Sequence, residues 1–211
     1  MSVNPKLEIL NRIKKGLDNA QIKNGLTDRY TTEEIYITPN KPLVEIFEDE
    51  LTKISGKYFY CNDEQDAAEK INILNKEKEL EPVFCSDATL FNLLALAGIN
   101  YISDFDDDNI KTGFSVCEKL IARFGSVMVS SAIPGARKVF SYPHTHIVIA
   151  RENQLVMELE EGLNAIAEKY KGNLPSQITN ITGPSRTADI EKTLILGAHG
   201  PKELIVFVIK S

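Results

Sequence analysis

The chain has 211 residues, 43% of them hydrophobic and 26% charged, which is enough apolar material for one sizeable core and does not demand two domains. A formal net charge of -6 supplies no basic field to collect phosphates and argues against a general nucleic-acid role. No apolar run approaches the roughly 20 residues that cross a bilayer, and the opening MSVNPKLEIL has no charged-then-apolar signal pattern, so a cytoplasmic protein acting away from membranes is expected.

In chain order, Leu7, Leu10, Ile13 and Leu17 recur at helical spacing, with Pro5 near the start and Gly16 near the end. They predict an amphipathic opening helix whose apolar stripe covers the domain or meets a partner. The polar stretch 21–41, with Gly25 and Pro39, reads as a loosely ordered connection, so residues 1–41 form an extension and 42–211 the main domain. A helix over 42–54 follows, carrying Val44, Phe47, Leu51 and Ile54 on one side, and then a short aromatic strand, KYFYC. Asp63 opens a helix to about Asn75, PVFC is a strand, and Asp87 caps a helix over 88–97 that ends at Gly98. Residues 100–103 make a brief strand. Strand and helix in alternation is the rhythm of a parallel α/β sheet.

The acidic DFDDDN segment at 104–109 lacks the glycine and glutamate spacing of a calcium loop and reads as solvated. Val116, Leu120 and Phe124 at spacing four predict a helix over 115–124. Val127 to Val129 is a strand, and the loop SSAIPGARK after it is a structural turn or a loop that meets a ligand, without P-loop spacing. His144 and His146, two apart, share one face of a strand. With His199 they would offer three nitrogens to a metal, but the reading preferred is that His146 is structural or lines a pocket, and no metal centre is expected. Residues 153–171 carry Leu155, Leu159, Leu163, Ile166 and Tyr170 on one face and predict the strongest helix. Cys61, Cys85 and Cys117 are widely spaced with no C-x-x-C pair, which offers neither a disulfide framework nor a cluster-binding set and points to reduced thiols.

The densest chemistry lies in ITGPSRTADIEKTLILGAHGP, from Ile181 to Pro201, held between the apolar runs 177–181 and 204–209. A charged loop between two buried strands puts its side chains at the strand ends of an α/β sheet, where ligands bind. Gly183 permits a sharp exit, Pro184 presets the first turn of a helix, and Ser185, Arg186 and Thr187 would then surround free amides at its positive end, a setting for a carboxylate or phosphate. Arg186, Asp189 and Thr193 would share one helical face. The plain alternative is a cap by Ser185 or Thr187 and an Arg186–Asp189 ion pair made for stability. Residues 193–196 are compatible with a helix end or a strand.

GPSRTADIE, followed by LGAHGP and a closing apolar strand, resembles the C-terminal signature of the LUD domain family of lactate-utilisation proteins, and within it the lactate utilisation protein C group. ARFGSVMVSS and PHTHIVIA extend the resemblance upstream, over roughly residues 110–211. It implies a LUD-type domain over 42–211, with an open, mostly parallel sheet, flanking helices and a relation to the CoA-transferase and ribose phosphate isomerase superfamily. It also implies a role in oxidising L-lactate to pyruvate beside iron–sulfur partner proteins that carry the clusters, with no cofactor in this chain. Under it Arg186 would bind the substrate carboxylate, Ser185 and Thr187 would orient it within a site bounded by Gly183, Gly200 and His146, and His199 or Asp189 would move a proton, with Glu191 beside them. The chain departs from the family pattern at Arg123 and Phe124, which stand where a Glu-Thr pair is usual, while Glu118 is nearby but out of register. A non-catalytic anion-binding subunit or regulator of an iron–sulfur complex is the second expectation. A stand-alone enzyme on a phosphosugar or acyl-CoA is the third.

Overall fold

The structure is a computed structural model that describes residues 5–19, 40–104, 109–188, 194–196 and 200–211. The chain divides into two compact units, residues 1–40 and 41–211. In the first, α1 (Pro5–Asn19) is the amphipathic helix expected from the apolar spacing, with Ile9, Leu10 and Ile13 exposed and Arg12 paired to Glu8 one turn earlier. The connection read at 21–41 falls almost wholly outside the described residues.

The second unit is built on a six-stranded parallel sheet. Its strands, in spatial order, are β1 (Lys57–Cys61), β12 (Glu203–Ile209), β7 (Thr145–Arg151), β4 (Thr112–Val116), β2 (Val83–Phe84) and β3 (Tyr101–Ile102). THIVIAR and ELIVFVI are apolar almost without interruption because both of their faces are covered. Ile147, Ile149, Ile205, Phe207 and Ile209 point to one face, against α3 (Glu64–Lys78) and α4 (Phe91–Leu96). Val148, Ala150, Leu204, Val206 and Val208 point to the other, against α2 (Leu43–Lys53) and a second sheet. That smaller sheet has the order β8 (Leu155–Val156), β5 (Lys119–Ile121), β6 (Ser126–Ser130), β9 (Ile178–Ile181), with β6 antiparallel to both neighbours. Its outer face is closed by α6 (Leu159–Tyr170), where Ile166 packs on Ile121 and Met128. A single turn of helix, α5 (Ala136–Val139), and an antiparallel pair, β10 (Arg186–Ala188) with β11 (Leu194–Leu196), complete the unit. The architecture is the mostly parallel α/β fold with flanking helices that the sequence predicts. The helix caps at Asp63 and Asp87 form as expected, each carboxylate accepting from a backbone N–H of the first turn.

Three local expectations are corrected. Residues 115–124 form the end of β4, then β5 and one helical turn, because Leu120 and Ile121 are claimed by strand pairing to β6 and β8. Residues 153–171 are not one helix: a turn at Glu152–Gln154 and β8 come first, and α6 starts at Leu159, after Glu158, whose side chain and that of Glu161 form a reciprocal cap. The chain after Pro184 runs as strand β10, so Ser185, Arg186 and Thr187 do not sit at a helix N-terminus. The apolar segment 194–196 offers β10 a strand partner, which local turn chemistry does not reveal.

Candidate functional site

Gly183 adopts φ +81°, and a Cβ there would stand 2.7 Å from the Ile54 carbonyl oxygen, so only glycine lets the chain pass the C-terminal end of α2 this closely. Ser185 N–H donates to the Pro201 carbonyl at 2.8 Å, and Gly200 lies against the Ser185 side chain. Arg186 donates through one terminal nitrogen to the Ile54 carbonyl at 3.2 Å and to the Ser55 hydroxyl. Gly183, Ser185, Arg186 and Gly200 are therefore brought together beside Ile54, Ser55 and Pro201. Asp189, Glu191, Thr193 and His199 lie outside the described residues, and Thr187 is described through its backbone alone, paired with Ile195.

The segment sits at the amino ends of the parallel strands, where the backbone N–H groups of Lys202 and Glu203 both donate to the His144 carbonyl at the entry to β7. The apolar runs that flank it belong to different sheets, β9 to the small one and β12 to the large.

His146 is enclosed between the layers. Its Nε2 lies 2.8 Å from Ser115 Oγ on the neighbouring strand, and its ring packs on Phe140 at a centroid distance of 5.4 Å. Its Nδ1 is buried with no hydrogen-bond partner, and burial pushes its pKa down to about 3, so the ring is neutral at physiological pH. A cavity of about 20 Å³ lies between His146, Phe140, Gly183 and Pro184, room for one water and not for a metabolite. His146 thus borders a small void beside the motif that leaves no room for a metabolite against the ring. His144 is exposed and precedes β7.

The loop after β6 borders an open cavity of about 350 Å³ with Ser131, Arg137, Lys138 and Ser176 on its walls, and Arg137 donates to Ser176 Oγ at 2.8 Å. Gly135 (φ +68°) is pressed on Ser86, whose Oγ would stand 2.1 Å from an added Cβ.

A more enclosed cavity of about 330 Å³ opens at the carboxyl ends of β4, β7 and β12, between Thr89, Cys117, Arg151, Gln154 and Lys169. Sequence reasoning missed it because it placed Gln154 and Lys169 in one helix and Cys117 in another. Beside it, Glu118 is only 6% exposed, and its carboxylate accepts from Ser130 Oγ at 2.6 Å, the Tyr170 hydroxyl at 2.7 Å and Lys169 Nζ at 2.7 Å. Burial alone would raise this carboxyl, but Lys169 and the two hydroxyls outweigh it and hold it below the usual range. Arg123, at the position of departure from the family pattern, donates from Nε to both carboxylate oxygens of Glu158, at 2.6 and 2.8 Å, and from a terminal nitrogen to one of them.

The thiols of Cys61 and Cys85 are pushed up to about 11 and that of Cys117 to about 12, in each case by burial, so all three stay protonated. Among the described residues no group of three or more His, Cys, Asp or Glu side chains converges, and no helix is long and apolar enough to cross a membrane.

Residues 106–209 match the family model of the LUD domain. The chain carries a LUD domain. Within it, the protein is 33% identical over 118 residues to lactate utilization protein C of Bacillus licheniformis, covering 55% of this chain and 48% of that one. It is 33% identical over 107 residues to the Bacillus subtilis protein of the same name, covering 47% and 45%. It is 35% identical over 102 residues to an uncharacterised protein of Neisseria meningitidis, covering 48% and 43%. The chain thus spans about half the length of the curated relatives it matches. A crystal structure of a DUF162 family protein from Deinococcus radiodurans shares the fold, with a TM-score of 0.59 and 22% identity over 81% of this chain and 99% of that one. The LUD domain comprises β4 to β12; the structural likeness reaches beyond it into the helices and strands that precede it.

Proposed function

We propose that this LUD domain protein serves in L-lactate utilisation, as a component of a system that oxidises L-lactate to pyruvate with iron–sulfur partner proteins. The observation that carries the reading is the similarity, across the LUD domain, to proteins named lactate utilization protein C. The oxidation removes two electrons and two protons from the substrate. The electrons go to partner clusters, and the chain's part is to bind the acid and manage protons. Arg186 is the carboxylate partner: its anchorage to Ile54 and Ser55 uses one terminal nitrogen and holds the guanidinium in place. Ser185 and Thr187 orient the acid beside Gly183 and Gly200, and Asp189, Glu191 and His199 are the proton-carrying groups.

The test is complementation in Bacillus subtilis lacking its own lactate utilization protein C. Growth on L-lactate returns with this chain and is lost with Arg186→Ala at equal protein level. Absence of growth with the intact, folded chain overturns the proposal.

A non-catalytic anion-binding subunit is the second reading, favoured by the engagement of Arg123 with Glu158 where the family pattern has an acid. L-lactate oxidation by the purified chain with an artificial electron acceptor excludes it. Binding without turnover, seen as a stability gain of about 2.7 kcal/mol at a hundredfold excess over Kd, supports it.

A further inference from the structure

The cavity at the carboxyl edge stands where the connections leave the large sheet towards opposite faces. From β4 the chain passes through Cys117 into the small sheet, and from β7 it passes through Gln154 to β8, also in the small sheet. From β1 it turns into α3, and from β2 it reaches α4 by way of Thr89, both on the other face. Strands whose connections part in this way leave a crevice at their carboxyl ends, the usual place for a ligand in an open α/β sheet. Here the crevice is a formed cavity of about 330 Å³, and the Arg186 segment lies at the opposite, amino edge.

Its walls divide by chemistry. Leu90, Leu93, Ile149 and Ile209 supply apolar surface, Arg151 and Lys169 are its cations, and among the described residues Glu64 is the one carboxylate on its wall. Neither cation is consumed by its present partner. Arg151 pairs with Glu64, both side chains about half exposed, an arrangement worth little and readily exchanged for another carboxylate. Lys169 donates to Glu118, yet its side chain is 59% exposed and an ammonium has three donors. Glu118 is also held by Ser130 and Tyr170, so a second anion on Lys169 does not leave it bare.

We propose that this cavity binds a small organic acid with an apolar body, the carboxylate on Arg151 and Lys169 and the body against the leucines and isoleucines. The site is separate from the Arg186 segment, and the inference stands whether or not lactate is bound there.

Methyl-resolved NMR of the full chain titrated with hexanoate, hexanol and hexylamine tests it. Hexanoate produces saturable shifts at the methyls of Leu90, Leu93, Ile149 and Ile209, and none at Leu204 beside the motif. Hexanol and hexylamine bind more weakly. The double variant Arg151→Gln, Lys169→Gln, which keeps donors for Glu118, retains its native spectrum and binds hexanoate at least about tenfold more weakly. Absence of saturable shifts, equal binding of hexanol, preference for hexylamine, shifts centred on Leu204, or unchanged affinity in the folded double variant each overturns the proposal.

Discussion

Lys169 Nζ donates to Glu118 Oε2 across 2.7 Å, tying the last turn of α6 to the bend between β4 and β5. The carboxylate is buried and its other oxygen takes two hydroxyl donors, so its removal strands those donors. Glu118→Ala is expected to cost about 2–3 kcal/mol, whereas Lys169→Met, at an exposed side chain, costs about 0.5–1 kcal/mol. The carboxyl is held below its usual value in the folded state. Its contribution is therefore complete above the unfolded value and lost as pH falls through the lowered one. Urea denaturation of wild type and Glu118→Gln checks this: the gap is widest near neutrality and narrows in acid. Equal stabilities at neutral pH would remove the argument.

Arg123 is the departure from the family pattern with the clearest structural role. Its side chain is only 14% exposed, and the guanidinium grips the cap of α6 through Glu158. Arg123→Glu, which restores an acid, sets two carboxylates against each other and is expected to destabilise by about 2–4 kcal/mol. Pairing it with Glu158→Arg recovers part of that loss. A thermal melt of both variants decides, and full stability of Arg123→Glu alone would show that the ion pair does no structural work.

Where periodicity was continuous the sequence was a good guide, and where pairing partners lie far apart it was not. THIVIAR and ELIVFVI could only be buried strands, and Asp63 and Asp87 announce their helices. Val116, Leu120 and Phe124 follow a helical spacing, yet strands 126–130 and 155–156, distant in sequence, take Leu120 and Ile121 into a sheet. Pro184 looked like a helix start because the run 194–196 that pairs with residues 186–188 follows several residues later. The grouping of Gly183, Ser185, Arg186 and Gly200 was legible because it is one contiguous motif. The Glu118 network and the carboxyl-edge cavity were not, since the first draws on three separated segments and the second on five or more, and they meet only through topology.

Gly125 and Gly98 separate backbone strain from collision. Both have positive φ, +57° and +69°. A Cβ at Gly98 would meet only Asn72 Nδ2 at 3.6 Å, while at Gly125 it would stand 2.1 Å from the Leu51 backbone nitrogen. Gly98→Ala is expected to cost about 1 kcal/mol, the price of a left-handed alanine, and Gly125→Ala at least about 3 kcal/mol because α2 must move. Denaturant midpoints measure both, and similar losses would contradict the close approach of α2 to this turn.

His146 makes the fold sensitive to mild acid. Folded, it is held neutral by burial with a pKa of about 3, against 6.5 when exposed, so between these values the unfolded chain binds the extra proton. Stability owed to this residue is intact above pH 6.5 and falls by up to about 1.4 kcal/mol for each unit of acidification below it. His146→Gln retains a polar partner for Ser115 and cannot titrate. Equilibrium denaturation at pH 7, 6 and 5 should show the wild type losing stability faster than the variant. The ring should stay unprotonated by NMR while the chain remains folded at pH 5. Parallel pH profiles for the two proteins, or a folded-state His146 titrating near 6.5, would mean that the ring is open to solvent and that the wall between the two sheets is not closed there.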